Sequence, residues 1–432
     1  MKHAINLDDY GPLAAEMADA VSKCVHCGFC LPACPTYKVL QEEMDSPRGR
    51  IILMKSALEK EISIDEALPY IDHCLGCLGC VSVCPSGVEY GNLISPFRVI
   101  AENYRQRTID DNFSRWVTKK TLPYPGRFYF VTKLGNLSRF LSPVLPTQFQ
   151  PMLDMVPESI PPRETLPEFV PAQGKKRGKV ALQAGCVQQV LAQEINWATI
   201  RVLTRNGFDV VIPKNQGCCG ALALHTGDHQ TAFDLAKHNM DQFPTDVDAI
   251  ISNAAGCGSA MHEYPLLFKE TEFEDTAKLF SRKVMDISVF LAGIELLPIP
   301  NSHKALRVAY HDACHLSHAQ GITREPRWLL NQIPYLTLVP INDGDLCCGS
   351  AGSYNLEQPE IASKLGSRKA KNILNTHADA VATGNIGCLV QLQNHLAKMN
   401  RQISSELIDT PVMHTIELID LAYQEKLSPI FN

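Results

Sequence analysis

The chain has 432 residues, of which 45% are hydrophobic and 20% are charged, and its formal net charge is −6. This length allows two or three domains with full cores, and the composition is that of a globular chain. The negative charge argues against a nucleic-acid partner. No apolar stretch approaches the roughly 20 residues of a membrane span, and acidic residues interrupt the N-terminal segment where a signal peptide would be apolar. We expect a cytoplasmic protein whose membrane contacts are peripheral.

The sixteen cysteines are the most informative feature of the composition. In a reducing cytosol, thiols in this number are kept for metals or redox chemistry. The first eight form two runs, CVHCGFCLPACP at 24–35 and CLGCLGCVSVCP at 74–85. Both have the C-x2-C-x2-C-x3-C-P spacing of bacterial ferredoxins, which bind [4Fe–4S] clusters. Zinc knuckles lack this pattern, and no C-x-x-C pair here is followed by the histidine of a c-type haem site.

The spacing also predicts which cysteines share a cluster. The first three thiolates of a run surround one cluster, and the fourth ligates the other cluster. We therefore expect cluster 1 at Cys24, Cys27, Cys30 and Cys84, and cluster 2 at Cys74, Cys77, Cys80 and Cys34. Gly28, Gly76 and Gly79 are predicted to allow the tight turns of these loops.

The residues between the two runs predict a helix. In DSPRGRIILMKSALEK, Ser46 can cap the helix, and Ile51, Met54 and Leu58 form an apolar stripe. This stripe is better explained as core than as a binding face. We predict that residues 1–105 form a mainly helical, ferredoxin-like domain with two [4Fe–4S] clusters.

Residues 106–178 are predicted to connect this domain to the rest of the chain. The segment WVTKKTLPYPGRFYF combines aromatic and basic side chains, which suits either a membrane surface or packing against neighbouring domains. We expect packing. From residue 141 the chain is rich in proline, which predicts a linker along the surface.

After this linker the chain repeats itself. The predicted strands lie at 179–184, 208–213 and 248–253 in the first unit, and at 306–311, 335–340 and 379–383 in the second. Helical stretches such as 190–206 and 358–375 separate them, and this alternation predicts small parallel sheets. We expect an α+β multidomain protein that ends in two repeated α/β domains, at 179–300 and 301–432.

Each repeat carries four cysteines near the ends of predicted strands, and two of them belong to a CCG triplet. They are Cys186, Cys218, Cys219 and Cys257 in the first repeat, and Cys314, Cys347, Cys348 and Cys388 in the second. Sites form outside the carboxyl ends of parallel strands, so each set is expected to converge. Adjacent cysteines in an extended segment point in opposite directions, which suits two metal atoms better than one. Each set is a candidate additional centre, and inert buried cysteine is the alternative.

The second repeat is expected to hold the more demanding site. Three histidines, His311, His315 and His318, lie near Cys314. Each histidine taken alone is better explained as a surface or capping group. The four cysteines together are predicted to hold a third redox centre or a redox-active thiol pair.

With these motifs the chain resembles the cysteine-rich CCG proteins, which include the B subunit of heterodisulfide reductase. Its complete layout is similar to that of the iron–sulfur subunits of bacterial glycolate oxidases, also called glycolate dehydrogenases. The resemblance is carried by the segments CVHCGFCLPACPTY, DSPRGRI, CPSGVEYGNL, SNAAGCG, HLSHAQ, CCGSAGSY and TGNIGC. Iron–sulfur subunits of lactate and anaerobic glycerol-3-phosphate dehydrogenases share much of this layout.

The resemblance implies an electron-transfer subunit. In such a complex, FAD-containing subunits oxidise glycolate to glyoxylate, and electrons continue towards a membrane quinone. The sequence contains no G-x-G-x-x-G that opens a βαβ unit and no Walker loop, so we expect no catalytic residues for substrate oxidation on this chain. The alternatives are a lactate or glycerol-3-phosphate dehydrogenase subunit, a disulfide reductase, and a redox sensor. We expect peripheral association with the inner face of the cell membrane.

The repeats depart from the family pattern in one respect. That pattern ends in C-x-x-C and supplies five thiols for a non-cubane cluster. The last cysteine would lie three residues after Cys257 and three residues after Cys388. Those positions are Ala260 and Gln391 here. Each repeat is therefore one thiol short, and a conventional cluster, a zinc ion and a dithiol all remain open.

Overall fold

The computed structural model describes residues 1–137, 160–301, 304–403 and 410–427. Residues 141–159 of the proline-rich linker predicted from residue 141 lie outside the described residues. Within them, no helix has both the length and the apolar character needed to cross a bilayer.

The N-terminal region is mainly helical, as predicted. Its helices are α1 (Ala14–Lys23), α2 (Pro35–Leu40), α3 (Pro47–Leu58), α4 (Ile64–Asp72), α5 (Gly79–Ser82), α6 (Gly91–Glu102), α7 (Ile109–Thr121) and α8 (Pro125–Leu137). Helix α3 confirms the prediction for its segment, because Ser46 Oγ accepts a hydrogen bond from the Gly49 N–H and the stripe at Ile51, Met54 and Leu58 is buried.

The first cysteine-rich repeat contains a five-stranded sheet in the order β1–β3–β2–β4–β5. Its strands are β1 (Phe169–Val170), β2 (Gly178–Gln183), β3 (Phe208–Val211), β4 (Ala249–Ser252) and β5 (Val284–Asp286). All pairs are parallel except β1 with β3. The helices of this repeat are α9 (Gln188–Leu191), α10 (Gln193–Arg205), α11 (Ala221–His225), α12 (His229–Gln242), α13 (Ala255–His262), α14 (Tyr264–Leu267), α15 (Glu274–Lys283) and α16 (Ile287–Ala292).

The second repeat contains a four-stranded parallel sheet in the order β7–β6–β8–β9. Its strands are β6 (Leu306–His311), β7 (Leu336–Val339), β8 (Ala380–Thr383) and β9 (Val412–His414). Its helices are α17 (Cys314–Ser317), α18 (Glu325–Leu330), α19 (Tyr354–Glu357), α20 (Pro359–Leu374), α21 (Ile386–Ile403) and α22 (Thr415–Tyr423).

The six predicted strands are confirmed, whereas three short strands escaped the sequence analysis. Strands β1, β5 and β9 have two or three residues each, too few for a periodic signal. Strand β1 precedes residue 179, where the first repeat was expected to begin, yet it pairs with β3. The predicted helix at 190–206 is divided at Ala192, whose φ of −152° lies outside the helical region.

The two repeats share one hydrophobic core, in which Leu182 of the first repeat and Leu306 of the second belong to the same buried cluster. The loops that follow β4 and β8 also meet. The backbone N–H of Ala255 donates to the carbonyl oxygen of Gly384 at 3.1 Å. The carboxyl ends of the two sheets therefore come together, and this places their cysteines around a common space.

Candidate metal centres and the cavity between the repeats

The two ferredoxin-type loops have the same backbone conformation. Positive φ angles occur at the second and fourth residues after the first cysteine of each run. These residues are His26 (56°) and Gly28 (84°) in the first run, and Gly76 (64°) and Leu78 (58°) in the second. Left-handed residues turn the chain sharply, and two of them in five residues close each loop around one centre.

The role predicted for Gly79 is wrong, because the positive φ belongs to its neighbour Leu78. A Cβ atom at Gly79 would lie 3.3 Å from the carbonyl oxygen of Ala33. Glycine at this position therefore allows the first run to approach the second closely.

The first loop, which we call the outer loop (residues 24–30), lies at the surface. Its three cysteines line one small pocket together with Cys80 and Cys84 of the second run. Cys27 is exposed, and the neighbouring Val25 and Phe29 are each 64% exposed.

The second loop, which we call the inner loop (residues 74–80), is more enclosed and has a buried arginine beside it. The side chain of Arg50 is 1% exposed, and its Nη1 lies 3.8 Å from Cys34 Sγ. Arg50 also donates to Thr36 Oγ1 at 3.0 Å and to Asp45 Oδ1 at 3.1 Å. Burial alone would raise the pKa of Cys74, but the charges of Arg50 and Arg98 outweigh it and lower that pKa below its ordinary value.

These residues fit the two [4Fe–4S] clusters that the spacing predicts. Backbone N–H groups donate to two of the sulfurs, from Gly76 to Cys74 Sγ at 3.4 Å and from Val88 to Cys84 Sγ at 3.5 Å. Such hydrogen bonds stabilise thiolate sulfur and tune the potential of a bound cluster. Thiol donors, loops closed by left-handed residues and nearby cations are together the environment that an anionic cluster requires.

In each repeat the four cysteines converge at the carboxyl ends of the strands. Cys186 Sγ donates to Cys218 Sγ at 3.4 Å, and Cys314 Sγ donates to Cys347 Sγ at 3.9 Å. These hydrogen bonds, together with burial, raise the pKa of both donor thiols, Cys186 and Cys314.

The second cysteine of each CCG triplet has a different neighbour from the first. Cys219 interacts with Cys257, and Cys348 interacts with Cys388. None of the sixteen cysteines forms a disulfide. The two thiols of each triplet also interact with each other, so the expectation that they point in opposite directions is not confirmed.

The eight cysteines of the two repeats line one cavity of about 800 Å³. Helices α7 and α8 form another part of its wall, through residues such as Val117 and Phe128. The rings of His225 from the first repeat and His315 from the second stack with centroids 4.9 Å apart. His225 Nε2 is buried without a hydrogen-bond partner among the described residues.

Helices α7 and α8 contradict part of the sequence interpretation. Phe128 lines the cavity, but Trp116, Tyr124 and Phe130 are 57%, 41% and 63% exposed. Packing against neighbouring domains was expected for these aromatic side chains and is wrong for those three. The α7–α8 pair therefore lines the cavity and also exposes aromatic side chains.

The inner loop packs directly against the second repeat. Leu75 and Cys77 belong to the same buried cluster as Cys314 and Cys347. The ring of His315 contacts the Gly76 carbonyl oxygen at 3.2 Å. The first repeat contacts the N-terminal domain through a backbone group. The carbonyl oxygen of His225 accepts a hydrogen bond from Nη1 of Arg98, in helix α6, at 3.0 Å.

Arg50 is a functional residue that the sequence analysis missed. A signal was present, because Arg50 lies four residues before Met54 and eight before Leu58, on the face predicted to be core. An arginine on a core face requires buried anionic or polar partners. Those partners lie in the cysteine runs and their neighbours.

Comparison with known families agrees with this architecture. Residues 20–88 match a 4Fe-4S dicluster domain, and residues 180–262 and 308–393 each match a cysteine-rich domain. The chain is thus an iron–sulfur protein with a ferredoxin-like domain followed by two cysteine-rich repeats.

Similar proteins identify the family more specifically. A glycolate oxidase iron-sulfur subunit of Escherichia coli is 34% identical over 96% of this chain and 97% of its own length. A probable glycolate oxidase iron-sulfur subunit of Bacillus subtilis is 35% identical over 86% and 88%. The chain belongs to the family of glycolate oxidase iron–sulfur subunits, and it is an electron-transfer component of an oxidoreductase.

Two more distant similarities complete the comparison. Lactate utilization protein A of Halalkalibacterium halodurans is 28% identical over 57% of this chain and 98% of its own length. The crystal structure of a hypothetical protein from Helicobacter pylori has the same fold, with a TM-score of 0.53 and 11% identity over 96% of this chain and 74% of that one.

Proposed function

We propose that this chain is the electron-transfer subunit of a glycolate oxidase (glycolate dehydrogenase) complex. FAD-containing subunits oxidise glycolate to glyoxylate, and this chain delivers the electrons to a membrane quinone. The observation that carries the proposal is the 34% identity to the Escherichia coli subunit over 96% of the chain. A match of this length includes the cysteine runs and both repeats, so it concerns the complete layout.

We propose crossed ligand sets for the two ferredoxin-type clusters. Clusters held there would supply one-electron carriers. Cluster 1 is ligated by Cys24, Cys27, Cys30 and Cys84, and cluster 2 by Cys74, Cys77, Cys80 and Cys34. The support is that Cys84 lines one pocket with the three cysteines of the outer loop, a pocket that Cys80 lines as well.

Paired variants test the crossing by electron paramagnetic resonance of the reduced chain. Cys84→Ala is expected to lose the same signal as Cys27→Ala, and Cys34→Ala the same signal as Cys77→Ala. If Cys84→Ala matches Cys77→Ala instead, each run ligates its own cluster and the crossed sets are wrong.

The outer loop is the proposed contact with the flavoprotein subunits. Val25 and Phe29 expose apolar side chains on either side of the exposed Cys27. Burial of this surface by a partner is favourable at roughly 25 cal/mol per Å². It would also bring the flavin close to the outer loop.

The cavity between the repeats is the proposed site for the quinone. Its volume of about 800 Å³ lies within the range of ligand sites, about 300–1,000 Å³. Val117 and Phe128 supply apolar wall for an isoprenoid tail. The unpartnered Nε2 of His225 supplies a polar group that can bond to a quinone carbonyl.

The outer side of α7 and α8 is the proposed membrane contact. Trp116 is 57% exposed and stacks on Phe113, with ring centroids 6.2 Å apart, and Phe113 also lines the cavity. Lys120 lies in the last turn of α7, next to Lys119, whose Nζ is paired with Asp228 at 2.8 Å. Aromatic and basic side chains together suit the interface of an anionic bilayer.

The decisive experiment compares the flavoprotein subunits, this chain and the intact complex. The flavoprotein subunits alone are expected to reduce an artificial dye with glycolate but not a quinone. This chain alone is expected to do neither, and the complex both. Oxidation of glycolate by the purified chain would contradict the carrier role. Lactate and glycerol 3-phosphate as donors, and a heterodisulfide as acceptor, test the alternatives.

A further inference from the structure

His311 is the buried side chain that the electron-transfer role leaves unexplained. It is the last residue of β6, three positions before Cys314. Its side chain is 0% exposed, and neither Nδ1 nor Nε2 has a hydrogen-bond partner among the described residues. A ring nitrogen of His311 and the sulfurs of Cys348 and Cys388 all lie within 4.8 Å of one another.

An imidazole buried in this way is costly unless something binds it. Leaving a buried polar group without a partner costs about 1–3 kcal/mol. The other histidines expected near Cys314 have partners, since His315 contacts the Gly76 carbonyl oxygen and His318 contacts Ser82 Oγ at 2.9 Å. His311 is thus the one of the three whose nitrogens are available, and they face two thiols.

The first repeat has a different residue at the equivalent position. Gln183 ends β2 three residues before Cys186, as His311 ends β6 three residues before Cys314. Gln183 Nε2 donates to the carbonyl oxygen of Gly217 at 3.1 Å, whereas its Oε1 is buried without a hydrogen-bond partner among the described residues. A nitrogen with the coordinating ability of imidazole therefore occurs at this position only in the second repeat.

Gln391 does not replace the missing fifth thiol. It occupies the place where the family pattern has its last cysteine, but its Nε2 donates to the carbonyl oxygen of Ala362 at 3.4 Å. The side chain is thus engaged with helix α20. The additional donor in the second repeat comes from β6 instead.

We propose that His311 is a metal ligand, and that with Cys348 and Cys388 it binds a thiophilic metal in the second repeat. Cys347 and Cys314, whose sulfurs are 3.9 Å apart, complete the donor set. Mixed imidazole and thiolate donors suit zinc, and they also suit iron of a cluster in which histidine replaces a cysteine. The centre is therefore chemically distinct from any centre in the first repeat.

Two neighbours support a metal at this position. Thr383 pairs with His311 in the sheet, and its hydroxyl is also buried without a hydrogen-bond partner among the described residues, so it is available to accept from the second ring nitrogen. Lys369 is 1% exposed, and its Nζ donates to the backbone carbonyl oxygens of Asp343 and Gly344, just before the second CCG triplet. A buried cation stabilises an arrangement that contains several thiolates.

The test replaces His311 with the residue of the first repeat. His311→Gln and the control His262→Gln, an exposed histidine, are purified anaerobically as full-length chains. Iron and zinc are counted, and nitrogen coordination is measured by X-ray absorption at the zinc edge and by nitrogen hyperfine coupling in the reduced protein. His311→Gln is expected to lose the nitrogen signal and to bind the second-repeat metal at least tenfold more weakly. His262→Gln is expected to behave as wild type.

His311→Cys separates ligation from folding. A thiolate at this position can still coordinate, so the metal is expected to remain while the nitrogen signal disappears. Unchanged nitrogen coordination in His311→Gln would overturn the proposal. So would a wild-type protein without metal beyond the two ferredoxin-type clusters. These readouts do not involve glycolate or quinone, so the assignment stands or falls separately from the proposed function.

Discussion

The two cysteine-rich repeats have the same frame but different polar groups around their cysteines. The first repeat has Gln183 and Asn239 where the second has His311 and Lys369. Asn239 and Lys369 lie on the helix that covers each CCG triplet, seven residues after the alanine that contacts its glycine. Neutral amides that complete backbone hydrogen bonds are thus replaced by a coordinating ring and a buried cation.

The repeats also differ in what they touch. Cys314 and Cys347 share a buried cluster with Leu75 and Cys77 of the inner loop, whereas Cys218 and Cys219 belong to a separate cluster within the first repeat. The repeats therefore share a fold, but in only the second do cysteines of the CCG triplet share a buried cluster with inner-loop residues among the described residues. We infer that the second repeat receives electrons and the first mainly completes the cavity.

The largest expected effect comes from removing the paired cysteines of each repeat. Cys347→Ser with Cys348→Ser is expected to lower glycolate:quinone activity of the complex more than 100-fold. Cys218→Ser with Cys219→Ser is expected to lower it about tenfold or less, since that pair does not adjoin the inner loop. Quinone reduction is measured in the reconstituted complex, with glycolate-dependent dye reduction by the flavoprotein subunits as the control. Equal losses in both double variants would remove the functional distinction between the repeats.

Local chemistry explains why the cysteine sites were predictable. The spacing of a ligand run is fixed by the loop that surrounds one centre, so the two ferredoxin-type runs and the two CCG sets could be recognised from sequence. The cavity that the two repeats share could not be predicted, because it depends on contacts between segments that are distant in the sequence. Ala255 bonds to Gly384, and Arg201 forms an ion pair with Asp420 at 2.6 Å.

The histidines show the same limit. His311, His315 and His318 were equivalent in the sequence, and each was interpreted as a surface or capping group. Only the packing around β6 reveals that His311 is fully enclosed beside two thiols. Burial depends on the tertiary structure, and the short segment that contains the three histidines carries no signal for it.

The glycine of each CCG triplet offers a matched comparison of packing. Gly220 and Gly349 have φ angles of 82° and 88°, which disfavour any residue with a Cβ atom. A Cβ at Gly349 would lie 2.7 Å from the Ala362 carbonyl oxygen, whereas one at Gly220 would lie 3.3 Å from the Ala232 carbonyl oxygen. We expect Gly349→Ala to destabilise the chain by roughly 3 kcal/mol and Gly220→Ala by roughly 1–2 kcal/mol.

Thermal unfolding of the two glycine variants, each with its wild-type complement of metal, measures this difference. The lower melting temperature is expected for Gly349→Ala. A larger loss in Gly220→Ala would mean that the first CCG loop, rather than the second, is the more tightly packed.

The smallest expected effect concerns strands β5 and β9. Each ends in a buried ionisable residue, and burial shifts the pKa values of the two residues in opposite directions. Asp286 ends β5 and caps α16, and His414 ends β9 and caps α22. Burial raises the pKa of Asp286 from 3.8 to about 6 and lowers that of His414 from 6.5 to about 4. As pH falls from 6.5 towards 4, the unfolded chain protonates His414 while the folded chain does not, so stability is lost. As pH rises from 3.8 towards 6, the unfolded chain ionises Asp286 first, so stability is again lost.

Urea unfolding between pH 5 and pH 7.5 separates these two contributions, because every other titrating group is common to wild type and variant. On going from pH 7.5 to pH 5, wild type is expected to lose about 2 kcal/mol more of its free energy of unfolding than His414→Gln. Over the same interval, protonation of Asp286 is expected to add about 1–2 kcal/mol to the free energy of unfolding of wild type, and Asp286→Asn is expected not to show this increase. The two substitutions therefore change the pH dependence in opposite directions, although they occupy the same place in the frame. If both variants shift it in the same direction, burial does not control the two caps, and the equivalence drawn between β5 and β9 fails.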